Sequence, residues 1–348
     1  MVQFIIKRML YGLLVLAGVI VLVFLLFIGF GDPVRLVIGQ TGDKATIENI
    51  RKELALDKPK WQQFLLYLKD VSPVSFHSKE EIASKQLKGI FIGGDTKFAI
   101  KLPYLRRSYQ TKKNVSEVLM EALPGTLVLT SAAMFIAVLI GIPLGVLAAV
   151  KQHSIWDTSS IFASVLGISA PSFFVGIIMA YLFGFVVSGY TGLHMTGSLY
   201  EVDPFNGRQL QLQNLILPAL TLGIRPLAII TQLTRSAMLD VLDQDYIRTA
   251  YAKGLTAKRI IWKHALRNAL NPVITAVTGW FAELLAGAFF VEYIFGWKGI
   301  GKVTVDALEK LDFPVVMGSV LLTALFFVFV NLLADVLYRV VDPRVKPA

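Results

Sequence analysis

The chain has 348 residues, 55% of them hydrophobic and only 17% charged, with a net charge of +10 and no cysteine. Soluble domains carry about 25% charged residues, and here the apolar residues fall in long uninterrupted runs, which excludes a pair of soluble domains and points to the membrane. The missing cysteines exclude disulfides, thiolate metal sites and cysteine nucleophiles. The basic residues sit beside and between apolar runs, so their partner is read as membrane lipid, not nucleic acid.

Met9–Phe30 is a near-continuous apolar run preceded by Lys7 and Arg8. It is long enough to cross a hydrocarbon core of about 30 Å. A cleaved signal would have an apolar region of about 7–15 residues ending in small residues. This run is longer and ends in Phe-Ile-Gly-Phe-Gly-Asp-Pro, which predicts an uncleaved first span. Residues 31–121 form a long polar segment. Thr46 can cap a helix carrying Ile47, Ile50 and Leu54, and Trp61, Phe64, Leu65 and Leu68 follow helical spacing. Between Ser72 and Lys101 the pattern is weak and predicts irregular structure.

Five further apolar blocks follow: Leu123–Val150, Ser159–Val187, Leu215–Leu239, Pro272–Ile294 and Pro314–Val341. Pro124, Pro143, Pro171, Pro218 and Pro226 lie in them, as expected for packed or kinked membrane helices. The connection Ser188–Asn214 is polar, with turn signals at Asp203-Pro204 and Asn206-Gly207.

Lys and Arg in the short flanks set the orientation. With the N-terminus inside, the cytoplasmic segments hold Lys7, Arg8, Lys151, Arg248, Lys253, Lys258, Arg259, Lys263, Arg267, Arg339, Arg344 and Lys346. The short outer loops hold only Arg208, Lys298, Lys302 and Lys310. The expected organisation is a cytoplasmic start and first span over 1–30, an extracytoplasmic segment over 31–121, a five-helix core over 122–341 and a cytoplasmic tail over 342–348. Both termini are then cytoplasmic, and a polar basic segment, 240–271, lies on the cytoplasmic side.

Within that segment, DYIRTAYAKGLTAKRIIWKHALRNALNP reads as two short helices broken at Gly254. Asp243 or Asp245 is placed to cap the first. Gly254 fits the left-handed position after a helix, Leu255 follows as its hydrophobic partner, and Thr256 can cap the second helix. Tyr246, Ala250 and Leu255 are expected to pack, with Arg248 and Lys253 around them. Charge logic leaves two readings open, an amphipathic segment on anionic lipid and a docking surface for a partner.

DYIRTAYAKGL and HALRNALNP resemble the cytoplasmic motif of ABC-importer permeases, and more narrowly of the dipeptide/oligopeptide/nickel branch, whose members read close to DYIRTARAKGL…HALRNAL-P. Tyr251 stands where that branch commonly has Arg, and Arg248, Thr249 and Ala250 stand where importers in general begin Glu-Ala-Ala. The resemblance extends over Gly31-Asp32-Pro33, Arg107–Thr111, Leu217–Leu222, Leu233–Leu239, Val291–Gly301, Asn331-Leu332 and Asp342-Pro343-Arg344. The segment between Asp70 and Arg106 departs from it. The resemblance implies an all-α integral membrane protein with six transmembrane helices, in the bacterial cytoplasmic membrane. Its implied partners are a second homologous permease, two cytoplasmic ATPase subunits and an extracytoplasmic solute-binding protein. It implies di- or oligopeptide cargo, with nickel complexes or glutathione as alternatives. Asp245, Tyr246, Arg248, Thr249, Ala250, Lys253, Gly254, Leu255 and His264 would contact the ATPase. ATP hydrolysis would belong to that partner, and the chain would carry no cofactor. A secondary transporter driven by an ion gradient is the rival, although no internal repeat supports it.

Gly296–Val303 nearly fits the phosphate-binding loop GxxxxGK[ST], but Val303 supplies no hydroxyl and a membrane span, not a strand, precedes it. A tight glycine turn leading into an outer helix near Lys302 is expected instead. Charges inside spans are costly and face a cavity or a partner. Arg225 lies roughly ten residues into the fourth block and Glu283 roughly eleven into the fifth, which at about 1.5 Å per residue puts both near mid-membrane. They either pair or line a solute path. Asp335 and Asn331 are expected to make interhelical contacts. The histidines at 77, 153, 194 and 264 lack metal-ligand spacing, and no catalytic constellation is present.

Overall fold

The computed structural model describes residues 2–29, 48, 51, 56–203, 205 and 207–341. Thr46, Ile47, Ile50 and Leu54 of the predicted helix, the Gly31-Asp32-Pro33 and Asp342-Pro343-Arg344 motifs, Pro204, Asn206 and the tail lie outside them. The chain divides into two compact units, one of Met1–Met9, Pro124–Lys302 and Phe326–Ala348, the other of Leu10–Leu123 and Val303–Leu325.

The second unit contains most of α1 (Val2–Gly29), then α2 (Lys60–Val71) and a small α/β element. Val23, Phe24 and Phe27 of α1 pack against Phe64, Tyr67 and Val71 of α2 and against Phe313, Met317 and Leu321. The helix at Trp61–Leu68 therefore forms as predicted but buries a neighbouring stripe. Trp61 and Leu65 stay 62% and 52% exposed. Both stripes have helical spacing, and the aromatic Phe24–Phe64 and Phe24–Tyr67 contacts select between them.

The stretch expected to be irregular is an antiparallel sheet. β1 (Val74–Ser78) and β2 (Gly89–Ile92) both pair with β3 (Thr96–Lys101), and α3 (Lys79–Lys85) follows β1. A capping box starts α3, with the Ser78 hydroxyl accepting from the Glu81 backbone N–H and the Glu81 carboxylate accepting from that of Ser78. The alternation is inside out: Val74, Phe76, Ile90, Ile92 and Ile100 are exposed, whereas His77, Ala99 and Lys101 are buried. The buried polar groups have partners, as burial demands. Lys101 donates to the Asp70 carbonyl, Lys85 meets the Asp70 carboxylate at 2.5 Å, and His77 Nδ1 lies 3.1 Å from Glu81.

The first unit is helical around one large core. After α4 (Val115–Val150) come α5 (Ile155–Ser169) and α6 (Ser172–Tyr181), the latter continued by a π-helical turn, Leu182–Val186. A hairpin of β4 (Tyr200–Asp203) and β5 (Gly207–Leu210) leads to α7 (Gln213–Leu242). Then follow α8 (Asp245–Ala252), α9 (Leu266–Gly287) and α10 (Phe289–Ile294); of α11 (Ile300–Glu309) and α12 (Phe313–Val341), Val303–Leu325 belongs to the second unit and the rest to the first. Leu129, Ala133 and Ala137 of α4, Leu217 and Ile230 of α7, and Val273 and Leu284 of α9 form the centre of the core.

Among the described residues, five helices are long and apolar enough to cross a membrane, or six if the third apolar block counts as one bent span. That block, expected from Pro171 to pack closely or kink, breaks sharply. α5 and the Ser172–Val186 helix meet at 105°. Ala170 is extended, and Pro171 both lacks an N–H and disfavours helix in the residue before it. The fifth span differs from expectation, because α9 stops at Gly287 and Phe289–Ile294 is a separate short helix.

Two ion pairs join distant parts of this unit. Arg8 Nε meets Asp335 at 3.0 Å, the interhelical contact expected of Asp335. Asn331 instead donates to Phe327 within its own helix. Asp157, 3% exposed, takes both Nε and Nη2 of Arg235, at 2.5 and 2.9 Å, and also accepts the His153 N–H. This bidentate geometry fixes the start of α5 to α7.

Helices α4 and α7 approach closely at small residues. A Cβ on Gly145 would lie 2.6 Å from the Thr231 carbonyl and 2.6 Å from Thr234 Cβ. Gly145→Val is expected to overpack this crossing and cost about 1–3 kcal/mol, read as a lower thermal midpoint in detergent. Gly18→Ala, whose added Cβ has nothing within 4 Å, is expected to leave the midpoint unchanged.

Candidate functional site

The basic segment begins where α7 ends. Asp243 is the C-cap of that helix, so it does not cap the next one. Gln244, extended, occupies the N-cap position of α8 without a side-chain cap, and Asp245 lies in the first turn. There Asp245 suits the positive end of the helix dipole. It also lies 3.7 Å from Arg248 in an exposed pair worth about 0–1 kcal/mol. The Thr249 hydroxyl donates to the Asp245 carbonyl.

The end of α8 matches the local prediction. Gly254 has φ +73°, its N–H donates to the Tyr251 carbonyl, and the Leu255 N–H reaches back to that of Ala250. These two bonds close a Schellman motif, for which glycine is the favoured residue. Thr256 takes the next N-cap position, without a side-chain bond.

Two expectations fail here. Tyr246 does not pack inward; it is exposed, and its hydroxyl accepts from Asn268 Nδ2 at 2.8 Å. Ile247, 1% exposed, is the anchor instead, with Ala250 beside it. Nor is the second helix short. Ala257–Arg259, a π-helical stretch Ile260–Ala265 holding His264, and α9 run on as one span-length helix. Ile247 and Ala250 share a core with Val146 and Ala149 of α4, Met238 of α7, and Ile260, Leu266 and Ala269, and Leu255 packs against it. Arg248, Lys253, Lys258, Arg259, Lys263 and Arg267 all remain exposed. The segment is thus a cationic surface fixed to the ends of three long helices.

The Gly296–Val303 turn is filled from within. Gly296 has φ +64°, and α11 starts at Ile300, near the expected point. The fully buried Glu292 carboxylate occupies the turn, where it accepts from the Thr126 hydroxyl at 2.7 Å and the Lys302 N–H at 3.1 Å. A Cβ on Gly299 would collide with it. Trp297 Nε1 donates to the Gly125 carbonyl at 2.9 Å. Gly299 and Gly301 admit the Glu292 carboxylate into the turn.

Arg225 and Glu283 line one cavity of about 80 Å³, with Thr221, Trp280 and Ser172. Both are exposed, and no ion pair joins them. The Arg225 guanidinium carbon lies 5.5 Å from the Trp280 ring centre. Of the two readings left open by the sequence, pairing does not occur. Among the described residues, no three His, Asp or Glu side chains gather as metal ligands would.

The model of the family described as binding-protein-dependent transport system inner membrane component matches residues 141–347, and that of its N-terminal region matches 1–84. The dipeptide transport system permease protein DppB of Escherichia coli (strain K12) is 37% identical, covering 99% of each chain. The oligopeptide transport system permease protein AppB of Bacillus subtilis (strain 168) is 35% identical over 99% of this chain and 100% of its own length. The chain belongs to this family of transport-system membrane components. The permease fold also matches a solved structure described as inward-facing conformations of the MetNI methionine ABC transporter. The TM-score is 0.51 at 20% identity, covering 65% of this chain and 97% of that one. This permease is therefore a multi-pass membrane protein with the ABC-importer permease fold.

Sequence reasoning passed over the contacts of Asp157, Arg235 and Glu292, because their partners are far away along the chain. Glu292→Ala is expected to leave the Thr126 hydroxyl and the facing N–H groups without their acceptor, at about 1–3 kcal/mol each. The thermal midpoint of the purified permease should fall markedly, whereas Glu292→Gln, which keeps an acceptor oxygen, should fall less.

Proposed function

We propose that this permease moves di- or oligopeptides across the bacterial cytoplasmic membrane in an ATP-driven importer, with the Asp245–Leu255 segment as the contact for the ATPase. One observation carries the reading. An exposed helix that opens a basic segment, ended by a Schellman motif at Gly254, is rooted through Ile247 and Ala250 in the core that joins α4, α7 and the helix leading into α9. A partner that grips this helix has a rigid hold on the membrane core. The relatives described as dipeptide and oligopeptide permeases support the cargo class.

In this mechanism, two cytoplasmic ATPase subunits dock beneath this chain and a second homologous permease, and a solute-binding protein delivers peptide from the other side. Asp245, Tyr246, Arg248, Thr249, Ala250, Lys253, Gly254, Leu255 and His264 belong to the docking segment. Exposed residues make the contact, and Ala250 and Leu255 hold the helix in place. Closure of the ATPase dimer displaces α8, and the attached helices exchange between two arrangements of the solute path. Arg225 and Glu283 line that path. Both termini and the 240–271 segment are cytoplasmic, 31–121 is extracytoplasmic, and hydrolysis belongs to the ATPase subunits.

Reconstitution with the partner subunits in vesicles tests this. Labelled dipeptide uptake should require ATP and the binding protein and should persist when ion gradients are collapsed. Gradient-driven uptake without ATP overturns the mechanism, and ATP-driven uptake of nickel or glutathione without dipeptide uptake overturns the cargo. Gly254→Pro cannot adopt φ +73°. It is expected to leave the spans inserted while hydrolysis no longer drives uptake, and a fully coupled mutant removes Gly254 from this role.

A further inference from the structure

The cavity at Arg225 and Glu283 has three features that point to one kind of ligand. First, it presents opposite charges that do not neutralise each other. Arg225 is near the middle of α7 and Glu283 is on α9, both face the same cavity of about 80 Å³, and no ion pair links them. A charge at membrane depth is costly unless something compensates it. Second, the Thr221 hydroxyl, one helical turn before Arg225, is buried at 2% exposure and has no hydrogen-bond partner, yet it lines the same cavity. A buried hydroxyl without a partner is uncommon, and here it marks a place for a ligand atom. Third, the break in the bent pair forms part of the cavity's lining. Ala170 and Ser172 line the cavity, and the ten-residue helix α6 begins there without a side-chain cap. Broken helices at membrane depth leave free backbone groups for solute binding.

We propose that this cavity binds the free ends of a short zwitterionic peptide, with the α-carboxylate at Arg225 and the α-ammonium at Glu283. This rests on the peptide cargo proposed above and adds a recognition step in the membrane. An anion alone would leave Glu283 uncompensated, and a cation alone would leave Arg225 so. A dipolar, net-neutral ligand satisfies both charges at once. The Thr221 hydroxyl can donate to the carboxylate or accept from the ammonium. Trp280, which already faces the Arg225 guanidinium, offers an apolar surface to the peptide body.

The test is equilibrium binding of labelled alanyl-alanine to the assembled importer in nanodiscs, without the solute-binding protein. The wild type is expected to bind it, with N-acetyl-alanyl-alanine and alanyl-alanine amide competing about tenfold less well. Glu283→Gln should abolish the discrimination against the acetylated peptide only, and Arg225→Gln that against the amide only. Thr221→Val should weaken binding, while Glu283→Asp and Arg225→Lys should retain the discrimination in part. Co-purification with the ATPase subunits establishes that each variant assembles. Absence of binding to the wild type, or discrimination unchanged in both glutamine variants, overturns the proposal. Dipeptide uptake by the complete importer separates the two failures. Uptake without this binding overturns the membrane site alone, whereas no dipeptide uptake overturns the peptide cargo itself.

Discussion

A charge taken out of water must find a partner, and this requirement decides where distant parts of the permease meet. Removing one partner of such a pair leaves the other buried and uncompensated, which costs more than a lost surface contact. Asp157 is buried because Arg235 presents two nitrogens to it, and that pair joins α5 to α7. Glu292 is buried because the Thr126 hydroxyl and backbone N–H groups surround it, and that arrangement shapes the glycine turn before α11. Arg8 and Asp335 pair the start of the first helix with the last. In the second unit, Asp70 gathers Lys85 and, through its carbonyl, Lys101 beneath the small sheet. Apolar packing fills the volume between these points without by itself selecting which residues face one another.

Features that depend only on local chemistry were legible in the sequence. The long apolar runs become helices because a bilayer leaves backbone groups no other partner. The Gly254 turn was readable because a left-handed residue after a helix needs only glycine and a following hydrophobic residue. Proline was a poorer guide. Pro124, Pro143, Pro218, Pro226 and Pro272 all lie inside continuous helices, whereas Pro171 marks a 105° bend. The residue type is the same in each case, and the surrounding packing decides between a tolerated proline and a break.

Features that depend on partners far along the chain were not legible. Arg235 and Asp157 are separated by 78 positions, and Thr126 and Glu292 by 166. The small sheet escaped notice because its strands turn Val, Ile and Phe outward and His77 and Lys101 inward, the reverse of the usual sign. In α8, Tyr246 and Ile247 are adjacent, and helical periodicity alone admits either at the edge of the buried stripe. The three-helix core beneath α8 selects Ile247, and Asn268 holds Tyr246 at the surface.

The connectivity of the basic segment links it physically to the cavity. α7 carries Thr221 and Arg225 and ends at Leu242, just before α8. After the Gly254 turn, the helix that starts at Ala257 runs through the π-helical stretch into α9, which carries Trp280 and Glu283. At about 1.5 Å per residue, Glu283 is roughly 39 Å along that helix from Ala257. α8 is therefore the connector between the two helices that supply the cavity's opposite charges. A force on α8 passes through a short turn on either side, at Asp243-Gln244 and at Lys253–Thr256, and then along a long helix to each wall. The π-helical stretch is a local departure from helical regularity between force and cavity, of the kind often found at functional sites. With the opposite charges on separate levers, a change in the relation of α7 to α9 alters how well one dipolar ligand satisfies both, and differential affinity of this kind is what couples a solute to a two-state transition.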